Sequence, residues 1–206
     1  MVAAILTNIP IVGNYVSMIN TVIHESGHAL MALLGGDIHE ISLFVNTEGV
    51  TYTSHSSWFG GFFTSLAGYI FSSAMAFLGF WLLAKGKNKV YIGILLGFIG
   101  LNLIFWVRNF YGIFWLITFG ISFILLLIKS KKVVVETVIL SLASIILVES
   151  VTSAFDIMAL SFMHPQAAGD ATNLAKSTVI IPVQVWGVFF FVQSIWWGVL
   201  SYRMGL

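Results

Sequence analysis

The stretch HESGH at residues 24–28 places two histidines four residues apart, with a glutamate directly after the first. On an α-helix, positions i and i+4 lie one above the other on the same face. His24 and His28 can therefore present two neutral ring nitrogens to one tetrahedral Zn²⁺, whose nitrogen ligands stand about 2.0–2.1 Å from the metal. Glu25 falls beside such an ion rather than on it, in position to take up a proton as general base. A catalytic zinc keeps three protein ligands and one open position, so a third ligand has to come from elsewhere in the chain. There is no cysteine, which excludes disulfides, thiolate ligands and cysteine nucleophiles and leaves His, Asp and Glu. Asp170 in GDATNLA and Asp156 in SAFDIMAL are the two candidates. Asp170 stands where a helix starts, so helix capping is its competing role. Asp156 lies inside an apolar run, where an unpaired carboxylate is costly. Asp170 is the first choice and Asp156 its rival, while periodicity alone leaves Asp170 evenly placed between ligand and cap. Glu149 stands two helical turns before Asp156 on the same face and could pair with Arg108, orient a histidine or line a water path. His164, next to Pro165, reads as a surface residue, and His39 and His55 read as solvated.

The elements that must hold these side chains are apolar. Of 206 residues, 59% are hydrophobic and 8% are charged, against about 25% charged in a soluble domain. The expected class is an all-α polytopic membrane protein whose surroundings are a lipid bilayer. With nine Lys and Arg and a net charge of +1 it offers no phosphate-binding surface, and no nucleic-acid partner is expected. No repeat or low-complexity linker interrupts the sequence, so residues 1–206 are expected to form one membrane domain. The start, MVAAILTNIP, lacks a basic n-region and a small-residue cleavage site and is not expected to be a cleaved signal peptide.

Taking about 20 apolar residues per crossing, the sequence predicts six spans, at 12–34, 58–84, 90–107, 109–128, 133–160 and 182–202. Gly35 and Gly36 are expected to stop the first helix, and WVRNF to turn the third into the fourth. Between the first two spans, β-forming residues predict a short hairpin with strands Ile41–Val45 and Val50–Thr53 around NTEG. A lone hairpin is marginal in water, so this one should lean on the helices or the membrane surface. The polar stretch SFMHPQAAGDATNLAKSTVIIP reads as a long connection between the last two spans, of the kind that is functional or disordered. Ser26, Gly27, Ala29 and Ala32, and the stripe Ala67, Gly68, Ser72, Ala76 and Gly79, read as close helix packing. Lys85, Lys87, Lys89, Lys129, Lys131, Lys132 and Arg203 fall on one side of a six-span arrangement, and Arg108 and Lys176 on the other. The positive-inside rule makes the lysine side cytoplasmic and puts the hairpin outside.

With these flanks, the chain resembles the site-2 protease family of intramembrane zinc metalloproteases, in its compact single-domain prokaryotic form. The segments that carry the likeness are HESGHALMALLGGDIHEISL, EGVTYT, SLAGYI in the place of an Ala-Gly-Pro element, and more loosely GDATNLAKSTVIIPVQVWG. The resemblance implies Zn²⁺ held by His24, His28 and an aspartate, with Asp170 ahead of Asp156 and Glu25 as general base. It also implies hydrolysis of peptide bonds in a membrane protein or peptide substrate, by a multi-pass protein of a prokaryotic cell membrane. Two departures stand out. Many members carry the third ligand in an Asn-Pro-x-x-Asp-Gly motif, which is missing here. Better-known members also open their metal to the cytoplasm, whereas the lysine count puts the hairpin outside. An extended substrate is expected to pair along the strand Ile41–Val45, with Asn173, His164 and Arg108 as polar candidates for holding an oxyanion. The competing classes are an inactive zinc-binding homologue and a metal or proton transporter built on the same groups. The intact Glu25 speaks against the first, and the lack of an internal repeat against the second.

Overall fold

The structure, a computed structural model, describes residues 12–205; the reading of the N-terminal stretch as uncleaved lies outside them. Its elements in chain order are α1 (Val12–Ala32), β1 (Gly36–Leu43), β2 (Gly49–His55), α2 (Trp58–Ala84) and α3 (Asn88–Leu101). A π-turn (Asn102–Trp106) extends α3, and α4 (Phe110–Lys129), α5 (Lys132–Met163), a 3₁₀ turn (Pro165–Ala167), α6 (Gly169–Thr178) and α7 (Val183–Gly205) follow. The architecture is an all-α membrane bundle with one antiparallel hairpin between its first two helices.

The six long helices coincide with the six predicted spans. Among the described residues, five of them are long and apolar enough to cross a membrane: α2, α3 with its π-turn, α4, α5 and α7. α1 falls short because Asn14, Asn20, His24, Glu25 and His28 interrupt its apolar residues. It is kept from lipid instead. Met18, Ile19, Val22, Ile23 and Ala29 are fully buried, and the helix packs mainly against α2, β2 and α5. Polar side chains are tolerated at membrane depth when they face the bundle interior. The contact with α2 is close at Gly27, where an added Cβ would stand 2.8 Å from Phe71 Cβ. Its small side chain is there for packing. α2 starts at Ser57, whose hydroxyl accepts the Gly60 N–H at 3.2 Å, as an N-cap should.

The hairpin differs from expectation in its bounds. β1 begins at Gly36, which pairs with His55, and ends at Leu43, opposite Gly49. Gly36 is thus the first strand residue rather than a helix stop, and an added Cβ there would overlap the Ser54 carbonyl oxygen. Val45 belongs to the turn, where the Phe44 N–H bonds Glu48 O at 2.9 Å and Thr47 takes φ 69°. The hairpin leans on α1, as a marginal element must. Thr21 Oγ1 donates to Thr47 O at 2.6 Å, and Asn14 Nδ2 to Val45 O at 3.2 Å.

The polar stretch 161–181 is ordered rather than a loop. α5 runs on to Met163, and α6 lies against α2 and α7. Ala171 and Leu174 of α6 are buried with Tyr69, Ala154 and Phe190. Thr172 Oγ1 ties the start of α6 to Pro165 O at 2.6 Å. The charged turns sort to two ends as expected. At the lysine end Asn88 Nδ2 donates to Glu136 Oε1 at 3.2 Å. At the other end the 107–109 turn meets the hairpin, and Trp58 Nε1 donates to Ser177 O at 2.7 Å.

Candidate metal centre

His24 and His28 stand one turn apart on α1, with their Nε2 atoms 3.0 Å from each other. Asp170 Oδ2, from the first turn of α6, lies 3.4 Å from His24 Nε2 and 3.2 Å from His28 Nε2. Donors about 2.0–2.1 Å from a tetrahedral zinc stand about 3.3–3.4 Å from one another, so this triangle has the dimensions of a zinc face. His28 Nδ1 lies 2.7 Å from the Thr64 carbonyl oxygen. A carbonyl only accepts, so Nδ1 carries the proton and Nε2 of the neutral ring keeps its lone pair. The His28 Nε2 lone pair and the Asp170 carboxylate thus converge beside His24 Nε2, an arrangement that suits a bound cation. The donor set of two imidazoles and a carboxylate suits zinc.

α2 leaves the room for it. A Cβ added at Gly68 would overlap His24 Nε2 and stand 2.5 Å from His28 Nε2. Gly68, read from the sequence as part of a packing stripe, therefore borders the centre itself. Gly68→Ala is expected to weaken metal binding by at least about tenfold, the scale on which disturbed ligand orientation is felt. Metal analysis of the purified variant against wild type checks it.

Asp170 does not cap its helix. The N-cap is Ala168, with no side-chain cap bond, and the Asp170 carboxylate turns to the imidazoles instead. Its place in the first turn of α6 also suits an anion. Asp156 is exposed on α5. It borders the same cavity but lies outside the three-residue group.

Glu25 is 5% exposed and bonds none of the three donors. Thr51 Oγ1 of β2 donates to Glu25 Oε2 at 2.6 Å. A Cβ added at Gly49 would stand 2.7 Å from Glu25 Oε1. The hairpin thus closes over the carboxylate, with a glycine where space is shortest. Behind α1, the π-turn turns Asn102 inward, and its Nδ2 donates to Ser26 Oγ at 2.7 Å and to Phe98 O at 2.9 Å. Such turns recur beside functional sites. Sequence reading passed over Thr51, Thr64 and Asn102. Only the Thr51–Tyr52–Thr53 alternation hinted at the first of them.

A cavity of about 1050 Å³ opens over the centre, lined by Glu25, Thr51, His55, Asp156 and Asn173 among others. His55, read as solvated, is half-buried in this wall, with Nε2 3.0 Å from Thr53 Oγ1. Burial lowers its imidazole below the ordinary value. His39 and His164 are exposed. Glu149 accepts from Ser17 Oγ at 2.9 Å and meets neither Arg108 nor the histidines. Arg108 bonds carbonyls of its own turn, Phe105 O at 2.6 Å and Val107 O at 2.9 Å.

The edge expected to receive substrate is occupied. Ile41 O accepts the Arg108 N–H at 3.3 Å. The Asn109 side chain brackets Leu43, accepting its N–H at 3.0 Å and donating to its carbonyl at 2.6 Å. Main-chain groups of Ile41 and Leu43 therefore point away from β2. In an antiparallel pair, their partners Thr51 and Gly49 then point main-chain groups away from β1. The open edge is that of β2, and it borders the cavity.

No curated protein and no solved structure matches the chain. A family model described as Peptidase M50B-like matches residues 1–201, a span that takes in both histidines, Glu25 and Asp170. With five helices among the described residues able to cross a bilayer, the chain is a multi-pass membrane protein and belongs to the Peptidase M50B-like family, the site-2 protease family.

Proposed function

We propose that the protein is an intramembrane zinc metalloprotease of a prokaryotic cell membrane, hydrolysing peptide bonds of membrane-embedded substrates. The observation that carries this reading is the convergence of His24 Nε2, His28 Nε2 and Asp170 Oδ2 within 3.0–3.4 Å, beside a buried glutamate that bonds none of them. These three residues would hold Zn²⁺, which when bound polarises a carbonyl and acidifies water. Glu25 takes the proton of the attacking water and returns it to the leaving amine. The Thr51 hydroxyl fixes Glu25 Oε2 and leaves Oε1 for that exchange. The Thr64 carbonyl holds the His28 ring in one tautomer. A helical substrate has to unwind before its backbone can be attacked. The open edge of β2, at Gly49 and Thr51, supplies main-chain partners for the extended segment.

The test is cleavage of a membrane-anchored peptide by purified protein in detergent or liposomes. Cleavage is expected to stop when a chelator strips the metal and to return with Zn²⁺ at about one ion per chain. Equal cleavage by metal-free protein would sink the reading.

A further inference from the structure

Tyr69 follows Gly68 on α2, next to the two imidazoles. Its ring stands nearly perpendicular to that of His24, at 82°, with centroids 4.6 Å apart. It also packs on Phe190 of α7, at 4.6 Å between centroids. Gln193 Nε2, one turn further along α7, donates to the Tyr69 carbonyl at 3.4 Å. Held between two helices, the side chain is 8% exposed, and it lines the cavity. Among the described residues its hydroxyl has no hydrogen-bond partner, yet it is not sealed off from the cavity. A buried phenol ordinarily finds a partner. Here the occupant of the cavity is left to supply it.

The wall holds other donors, Asn173 and Lys176 among them, but Tyr69 is held with its ring against His24. Glu25, Asp156 and Asp170 are carboxylates and, when ionised, only accept. The Thr51 hydroxyl already gives its proton to Glu25. Peptide hydrolysis builds negative charge on the scissile carbonyl oxygen, and that charge calls for a donor held in place beforehand. Tyr69 is a neutral donor on a fixed ring beside His24.

Resting on the protease reading, we propose that Tyr69 is a catalytic residue whose hydroxyl donates a hydrogen bond to the carbonyl oxygen of the scissile amide as that oxygen becomes an oxyanion. The phenolic proton stays on Tyr69 throughout. Water oxygen adds to the carbonyl carbon while Glu25 takes the proton of the water. The C–N bond then breaks, Glu25 protonates the amine, and the carbonyl reforms. Tyr69 serves amide substrates and their tetrahedral mimics alike.

Tyr69→Phe removes the hydroxyl and keeps the ring against His24 and Phe190. Its kcat is expected to fall about 10²-fold, the scale of a lost oxyanion donor, with KM and bound zinc as in wild type. The second readout is binding. Affinity for a phosphinic peptide of the cleaved sequence should fall by the same factor as kcat/KM. Affinity for an uncleavable N-methylated peptide of that sequence should hold. Unchanged kcat and phosphinic-peptide affinity in Tyr69→Phe would overturn the assignment while leaving the protease reading intact. Loss of zinc in step with activity would also overturn it, because the side chain would then be a support for His24. Wild-type protein that holds zinc but cleaves no membrane-anchored peptide would remove the protease reading itself, and the oxyanion role with it.

Discussion

Glu25→Gln is expected to lower kcat by about 10²–10⁴-fold, the range over which a positioned general base acts, while zinc content stays at the wild-type level. The substitution keeps the shape of the side chain. Its amide oxygen can still accept the 2.6 Å bond from Thr51 Oγ1, so the hairpin has no reason to lift. What is lost is the one atom able to take up a proton at that point of the cavity wall. Metal is retained because Glu25 bonds none of the three converging donors. Product formation followed by mass spectrometry and metal followed by elemental analysis give the two numbers. The same variant separates the competing classes. An inactive zinc-binding homologue shows no wild-type cleavage to lose. A metal or proton transporter shows an ion flux across liposomes that falls in the variant, with no product at any stage.

The centre was legible in part because its first half is local. A spacing of i, i+4 fixes a shared helix face whatever the fold around it, so His24 and His28 could be paired on sight. Asp170 is distant in sequence, and its partnership with them depends on where α6 packs. Its neighbours Ala171 and Leu174 are buried beside Tyr69 and Phe190, and that packing aims the carboxylate. Periodicity alone left Asp170 between ligand and helix cap for this reason, and family likeness strengthened it against Asp156. The long helices were visible as apolar runs of spanning length, whereas α6 was hidden by its polarity and read as a loop. The free strand edge was misplaced for a similar cause. A strand pattern does not say which side a distant turn will cover, and here Arg108 and Asn109 cover β1. Tyr69 sat inside a stretch of small residues that looked purely structural. Its hydroxyl gains meaning only from the cavity it reaches.

Asp170→Ala is expected to empty the metal centre, and Asp156→Ala to leave it filled. Asp170 Oδ2 completes a triangle with the two Nε2 atoms at 3.2 and 3.4 Å. Removing it leaves two ligands where a catalytic zinc takes three. The loss of affinity should exceed the about 10–100-fold that follows loss of an outer partner, and cleavage should vanish with the metal. Asp170→Asn, which keeps one neutral oxygen in place, should fall between. Asp156 is exposed and outside the group, so its removal should change metal content little. The comparison also tests the bland account of the cluster, in which protonated imidazole and carboxylate simply pair. On that account Asp170→Ala strips no zinc because none was bound, and it lowers thermal stability by leaving His28 without its partner. Zinc titrated into wild type, Asp170→Ala and Asp156→Ala, with unfolding followed in each, tells the two apart. A ligand set stabilises wild type and Asp156→Ala on zinc addition and does nothing for Asp170→Ala, whereas a plain ion pair gives no zinc-dependent shift in any of the three.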